Sequence, residues 1–325
     1  MIDFRYHLIS IIAVFLALAI GIVLGTTALN SALLDDLRAN ISSLTQDKDD
    51  LRGQVADLQT RLDDAGAFTE ATASALLAGR LAGRQVVVLA APGAPGDVRE
   101  AVVAGVEDAG GEVVGPVLLQ ADYLTREPAE VDDLVRRLAP AGVTLPAGSG
   151  AERLGSLLAS VLVTTSTTAP GATGPDAPDA TTTTDRVLDG LRDAGLVRVQ
   201  GETPEPAPLA VLVAAPGPVE GEAVDEEVLR QEQQALLALA LAFRSRSLGT
   251  VVAGPDEPPG GRGLVATLRA DDAVADQLSS VDDAGSPQGR VATVFSLLEA
   301  WRGGVGHYGR GDRTSGPLPV PLPAG

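Results

Sequence analysis

A chain of 325 residues, 45% of them apolar, has material for a sizeable core and for one or two domains. Its formal net charge of −19 repels phosphate backbones and anionic lipid headgroups, and Lys48 is its only lysine, so nucleic acid is excluded as a partner. Cysteine is absent, which rules out disulfides, thiolate metal sites and a thiol nucleophile, and aromatic residues make up only 3%, which leaves the core to Leu, Val and Ala.

The first predicted element is an apolar run from Leu8 to Leu29, broken only by Ser10, Gly21, Gly25, Thr26 and Thr27. As a helix it would span about 33 Å, enough for a hydrocarbon core of about 30 Å. Residues 1–7, with Arg5 as their one basic side chain, are expected in the cytoplasm, and Asp35 and Asp36 follow the run on the far side. A cleaved signal peptide with its cut near Ala28 is the competing reading. Its apolar region is normally about 7 to 15 residues, so the longer run favours a retained single-pass anchor at 8–29 in the cytoplasmic membrane.

No helix breaker separates this run from a heptad repeat over 30–66. The a positions read Leu34, Ile41, Lys48, Val55 and Leu62, and the d positions read Leu37, Leu44, Leu51, Leu58 and Ala65. Leucines at d with branched residues at two of the a positions are what a parallel two-stranded coiled coil prefers. Lys48 at a costs stability but is tolerated in a dimer, where its stem reaches solvent. Asp47 at g and Arg52 at e′ of the partner are of opposite sign, in keeping with a parallel homodimer. The alternatives are pairing with another protein's helix or folding back on the globular domain. Within the membrane run, Ala17, Gly21 and Gly25 form a small-x-x-x-small ladder that suits close helix packing in lipid. It lies about 150° around the helix from the heptad seam, so it is free for a different membrane or envelope partner.

From Arg84 the pattern becomes that of an α/β domain with a parallel sheet, expected over 84–308 and outside the cytoplasm. Strands are predicted at Gln85 to Ala91, Glu112 to Leu119, Leu209 to Ala215 and Thr250 to Ala253, with a further one at Leu264 to Leu268. Helices are predicted at Asp97 to Ala109, Ala129 to Leu138, Glu152 to Val163, Asp185 to Ala194, Val224 to Phe243 and Pro287 to Trp301, the last capped by Ser286. The Val224 helix ends in LLALALAF, apolar all round and too short to span a bilayer, so it reads as a core helix. A Thr/Pro-rich insertion at 164–184 is too poor in large apolar residues to fold, and the tail at 309–325, ending PLPVPLPAG, is expected to be extended and disordered.

Chemistry-bearing motifs are few. The Pro-Gly turns after the first and third strands lack the GxGxxG spacing, and proline removes the N–H groups that would cradle phosphate. There is no GxSxG, HExxH or Walker A motif, and the only histidines are His7 and His307. Neither an enzyme nor a cofactor or metal site is expected. Asp282 and Asp283 are the most conspicuous acidic pair, read either as a site for a cation or basic partner or as a turn leading into the Pro287 helix.

The opening FRYHLISIIAVFLALAIGIVLGTTAL, the heptads, the strand GRQVVVLAAPGA, the segment SSVDDAGSPQGRVATVFSLLEAWRGG and the terminal VGHYG resemble the actinobacterial MctB family, the mycobacterial copper transport protein B group. The likeness covers nearly the whole chain apart from the insertion and the tail. It implies copper transport or homeostasis, and it marks Asp282, Asp283, Arg290 and His307 as motif residues. The family is in turn similar to SteB, a septal envelope protein that acts with SteA in cell separation. Copper, however, is held by Cys, Met and His, of which this chain has none, one and two. No alternating segments of about ten residues suggest an outer-membrane barrel. The expectation is therefore a non-catalytic, membrane-anchored, dimeric coiled-coil scaffold of the envelope, with a copper efflux component as the alternative.

Overall fold

A computed structural model describes residues 3–140, 143–166, 180–218, 221, 223–257 and 260–323, with side chains placed for all of these except 3–5, 26–36, 180 and 181. Most of the Thr/Pro insertion lies outside the described residues. The chain divides into two units, Met1–Ala65 and Gly66–Gly325.

Helix α1 (Asp3–Leu77) runs without interruption for 75 residues. Its polar stretch is reinforced one turn apart by Arg61 with Asp57 at 2.9 Å and by Thr45 Oγ1 donating to the Ile41 carbonyl at 2.7 Å. It stops at Gly79, whose φ of +73° suits a glycine just past a helix end. Within the second unit, Ala73 and Leu77, and Leu81 just beyond, are buried in one of its two cores.

There follow β1 (Gln85–Ala90), α2 (Gly96–Asp108), β2 (Glu112–Leu119), α3 (Asp122–Thr125), α4 (Pro128–Leu138), α5 (Gly150–Leu162), α6 (Ala180–Asp193) and β3 (Val197–Val199). The chain continues through β4 (Leu209–Val213), α7 (Glu226–Arg246), β5 (Gly249–Ala253), α8 (Leu264–Ala270), α9 (Asp272–Ala275), β6 (Ser279–Val281), α10 (Pro287–Trp301) and β7 (His307–Tyr308). The strands form one sheet in the order β3-β2-β1-β4-β5-β6-β7, parallel throughout except for β3, which pairs antiparallel with β2. The parallel expectation thus holds for the body of the sheet and is corrected at that edge.

Both faces of the sheet are covered, which is why β1 and β4 are apolar without alternation. Val86, Val88 and Ala90 face α2, α10 and the end of α1. Val87 and Leu89 face the layer built from α4, α5, α6, α7 and α8. Arg80 stacks over Phe295 at 5.5 Å and Arg84 over Trp301 at 4.9 Å, fixing the α1 exit on α10. The LLALALAF end of α7 is a core segment, with Leu236, Leu237, Leu239, Ala240 and Phe243 buried.

Two readings are corrected. The stretch Leu264 to Leu268, predicted as a strand, is helix α8, because Leu264, Val265 and Leu268 share one helical face that packs on the core. The sheet position beside β5 belongs instead to β6, a polar segment whose buried Ser279 and Ser280 are hydrogen-bonded to Gly306 N and Arg269. The second concerns the segment after β7, expected as a free tail. Its first part is tied to the domain: Ser315 N donates to the His307 carbonyl at 2.7 Å, Gly309 N to that of Gly316 at 3.1 Å, and Leu318 packs against the core.

Candidate functional site

In open α/β sheets ligands favour the carboxyl ends of strands where the strand order reverses, here between β1 and β4. Beside it, the loops after β4 and β5 close on each other. The Gly217 backbone lies so close to the next loop that a Cβ there would sit 2.4 Å from Gly263 N. The Glu257 carboxylate, in the loop after β5, accepts from Gly263 N at 3.2 Å. Burial pushes the Glu257 carboxyl up, against the pull of the nearby Gly263 and Gly217 backbone N–H groups.

The VDD segment lies further along the same edge, and β6 directs its two aspartates differently. Asp282 is 1% exposed and its Oδ2 meets Arg269 Nη1 at 2.5 Å; Arg269 is itself 4% exposed. Arg310 N and Gly311 N also donate to the Asp282 carboxylate, at 2.6 and 3.0 Å. The chain passes so near that a Cβ on Gly309 would stand 1.9 Å from Asp282 Oδ1, so glycine is required there. Arg269 spends its other donors on Ser280 Oγ at 2.9 Å and the Tyr308 carbonyl at 2.8 Å. Asp283 sits at a φ of +59° and accepts from Ser286 Oγ at 2.8 Å, while Ser286 caps α10 through Gly289 N. Burial raises the Asp283 carboxyl; Ser286 and Arg310 pull it the other way.

His307 joins this network through Ser280, whose Oγ is 2.9 Å from Nδ1. Arg269 Nε donates to the same oxygen at 2.9 Å. Burial first and the Arg269 charge second depress the His307 pKa. Arg290 lies apart from this group. It pairs with Glu70 at the end of α1 and bridges α10 to that helix. Asp282, Asp283 and His307 are therefore brought together and Arg290 is not. The residues that sequence reasoning missed are Arg269, Ser280 and Arg310. An arginine inside the otherwise apolar LVATLRA was the one available signal for Arg269.

Donor and acceptor capacity in this network is spent internally, and its chemistry is that of a latch holding β6, β7 and the following loop together. Among the described residues no group of three or more His, Asp or Glu side chains is placed to hold a metal ion.

On α1, Tyr6–Gly25 has the length and composition of a membrane span, with a mean hydropathy of 2.9, starting slightly before the expected Leu8. Ala17, Gly21 and Gly25 are exposed on it, and a Cβ at either glycine would meet nothing within 4 Å. Of the heptad residues, Leu37, Ile41, Leu44, Leu51, Val55, Leu58 and Leu62 are each more than half exposed. Lys48 is also exposed, 3.8 Å from Asp49. The Leu34 side chain lies outside the described residues.

A family profile described as "Copper transport outer membrane protein, MctB" matches residues 1–319. The chain is 32% identical over 320 residues to proteins named Copper transporter MctB from Mycobacterium bovis and Mycobacterium tuberculosis, covering 96% of this chain and 97% of theirs. The protein of the same name from Mycobacterium leprae is 31% identical over 330 residues, with the same coverage.

Proposed function

The chain belongs to the MctB family, and from that premise we propose that it serves envelope copper transport as a non-catalytic scaffold rather than as the conduit. In this reading it is a single-pass protein anchored in the cytoplasmic membrane by Tyr6–Gly25, with its α/β domain outside the cytoplasm, and it pairs in parallel with a second copy through the α1 heptads. The observation that carries the reading is the row of exposed heptad residues from Leu37 to Leu62 on one unbroken helix. Such a row is costly to leave in water, at about 1.5–3 kcal/mol for each large aliphatic side chain, and a matching helix removes that cost.

The ligand inventory supports the same assignment. Copper-binding side chains are scarce, and His307, one of the two histidines, has Nδ1 engaged by Ser280. The ladder of Ala17, Gly21 and Gly25 is then left for another helical membrane or envelope protein, to which the copper path is assigned. The likeness to SteB supports a second setting for the same scaffold, cell separation at the septum, with the same seam in use.

A chain without native cysteine makes the test direct. Leu51→Cys, at a d position, should form an interchain disulfide in membranes under mild oxidation, whereas Asp50→Cys, beside the seam, should not. Equal crosslinking of both, or none with either, would overturn pairing through the heptads.

A further inference from the structure

Strand β7 is held at the sheet edge by few bonds. Its two residues meet β6 where Ser280 N donates to the Gly306 carbonyl at 3.0 Å and Asp282 N to that of Tyr308 at 3.1 Å. The chain beyond folds back on β7, with Ser315 N on the His307 carbonyl, Gly309 N on that of Gly316 and a backbone bridge between Tyr308 and Gly316. Residues 307–318 thus form a strap seated on a two-residue strand, and short edge elements of this kind open at the smallest free energies in a domain. The two side chains of β7 point to opposite faces. Tyr308 turns to α10, where its hydroxyl donates to Glu299 at 2.8 Å. His307 turns to Arg269 of α8 and to the end of α9.

The surroundings of the half-buried ring suit it uncharged. Its Nδ1 and the Nε of Arg269 meet on one atom, Ser280 Oγ, each at 2.9 Å, and both Ser280 and Arg269 are buried. Charging the ring would set a second cation on an oxygen already given to a buried guanidinium. Of the carboxylates on the surrounding elements, Asp282 is bound to Arg269, Arg310 N and Gly311 N, Asp272 is paired with Arg313 at 3.0 Å, and Asp283 is paired with Arg310 at 3.3 Å. Asp276, just past α9, acts on the ring from an exposed position, where water weakens its attraction. Burial and the Arg269 charge together depress the pKa of the ring more than the nearby Ala275 backbone and Asp276 raise it.

We propose that His307 is an acid-sensitive fastener for this strap: protonating its ring loosens β7 and residues 309–318 from β6 and uncovers the Ser280 and Asp282 N–H groups at the sheet edge. A histidine that is harder to protonate in the seated strap than in the released one holds the strap fully above the ordinary histidine pKa of about 6.5. That contribution is lost as the pH falls from there through the depressed value of the seated ring. The fastener lies in the α/β domain and does not rest on pairing through α1.

Hydrogen–deuterium exchange of the full chain in lipid nanodiscs, at about pH 7.5 and about pH 5.5 with labelling times scaled for the intrinsic rate, reads the strap directly. Peptides covering 306–318 are expected to lose protection at the lower pH while those of β1 and β4 keep theirs. His307→Gln can still bond Ser280 Oγ but does not titrate, so its strap should be protected alike at both values. Undiminished protection of the parent at the lower pH, or the same acid-dependent loss in His307→Gln, would overturn the assignment. The ring itself gives an independent readout, because His7 is the one other histidine. With His7→Gln and the remaining histidine labelled at Cε1, the NMR titration of His307 should have its midpoint below the unperturbed value of about 6.5. A midpoint at or above that value would equally contradict a fastener that works by staying neutral.

Discussion

Asp282 shows how little a conspicuous residue discloses without its partner. In the sequence the VDD segment offers two equivalent carboxylates before a helix, and the turn reading suits Asp283, whose hydrogen bond to Ser286 steadies the α10 cap. It does not suit Asp282, which points inward to Arg269. That pairing was illegible because the arginine stands thirteen positions earlier, in a stretch whose apolar character suggested a strand. Removing one member of a buried, hydrogen-bonded ion pair leaves the other charge unsolvated, so Asp282→Ala should lower unfolding stability by about 3–5 kcal/mol. Arg310→Ala removes the Arg310–Asp283 pair and an exposed hydrogen bond to Gln288, from an arginine that is 55% exposed, and should cost less than about 1 kcal/mol. Urea unfolding followed by Trp301 fluorescence separates the two. Similar losses for both would mean that the Asp282–Arg269 pair is not the latch described here.

At the scale of elements, legibility followed burial. β1, β4 and β5 are covered on both faces and announce themselves as unbroken aliphatic runs, and α10 carries its cap and first-turn proline in the sequence. β3, β6 and β7 are two or three residues long and partly polar, and they exist because the sheet edge supplies their backbone partners, which no local pattern records. The heptad run of α1 was the clearest periodic signal in the chain, and the helix it predicted is there; what its seam packs against belongs to association. Lys48 is the test of that seam. If it occupies a buried a position between two chains, Lys48→Leu removes a desolvated charge, raises the thermal midpoint of the helix and permits assemblies larger than two. An unchanged midpoint with an unchanged crosslinking ladder would place Lys48 outside any seam.

For the molecule as a whole, the most prominent features are an acidic surface and an exposed apolar row on α1. A chain with a net charge of −19 and no cysteine carries a latch whose polar groups are spent on one another, a loop after β5 tied by Glu257, and a long helix whose apolar row has no partner among the described residues of its own chain. The acidic surface and the apolar row were readable from sequence. The central claim, that the α1 heptads join two copies, is tested most directly by the protein mass per particle, measured by light scattering with detergent subtracted, for the full chain and for Leu44→Glu with Leu51→Glu. Two chains per particle for the parent and one for the variant, with the α/β domain still folded by its Trp301 fluorescence, are the predicted result; a single chain in the parent, or two in both, would contradict the account.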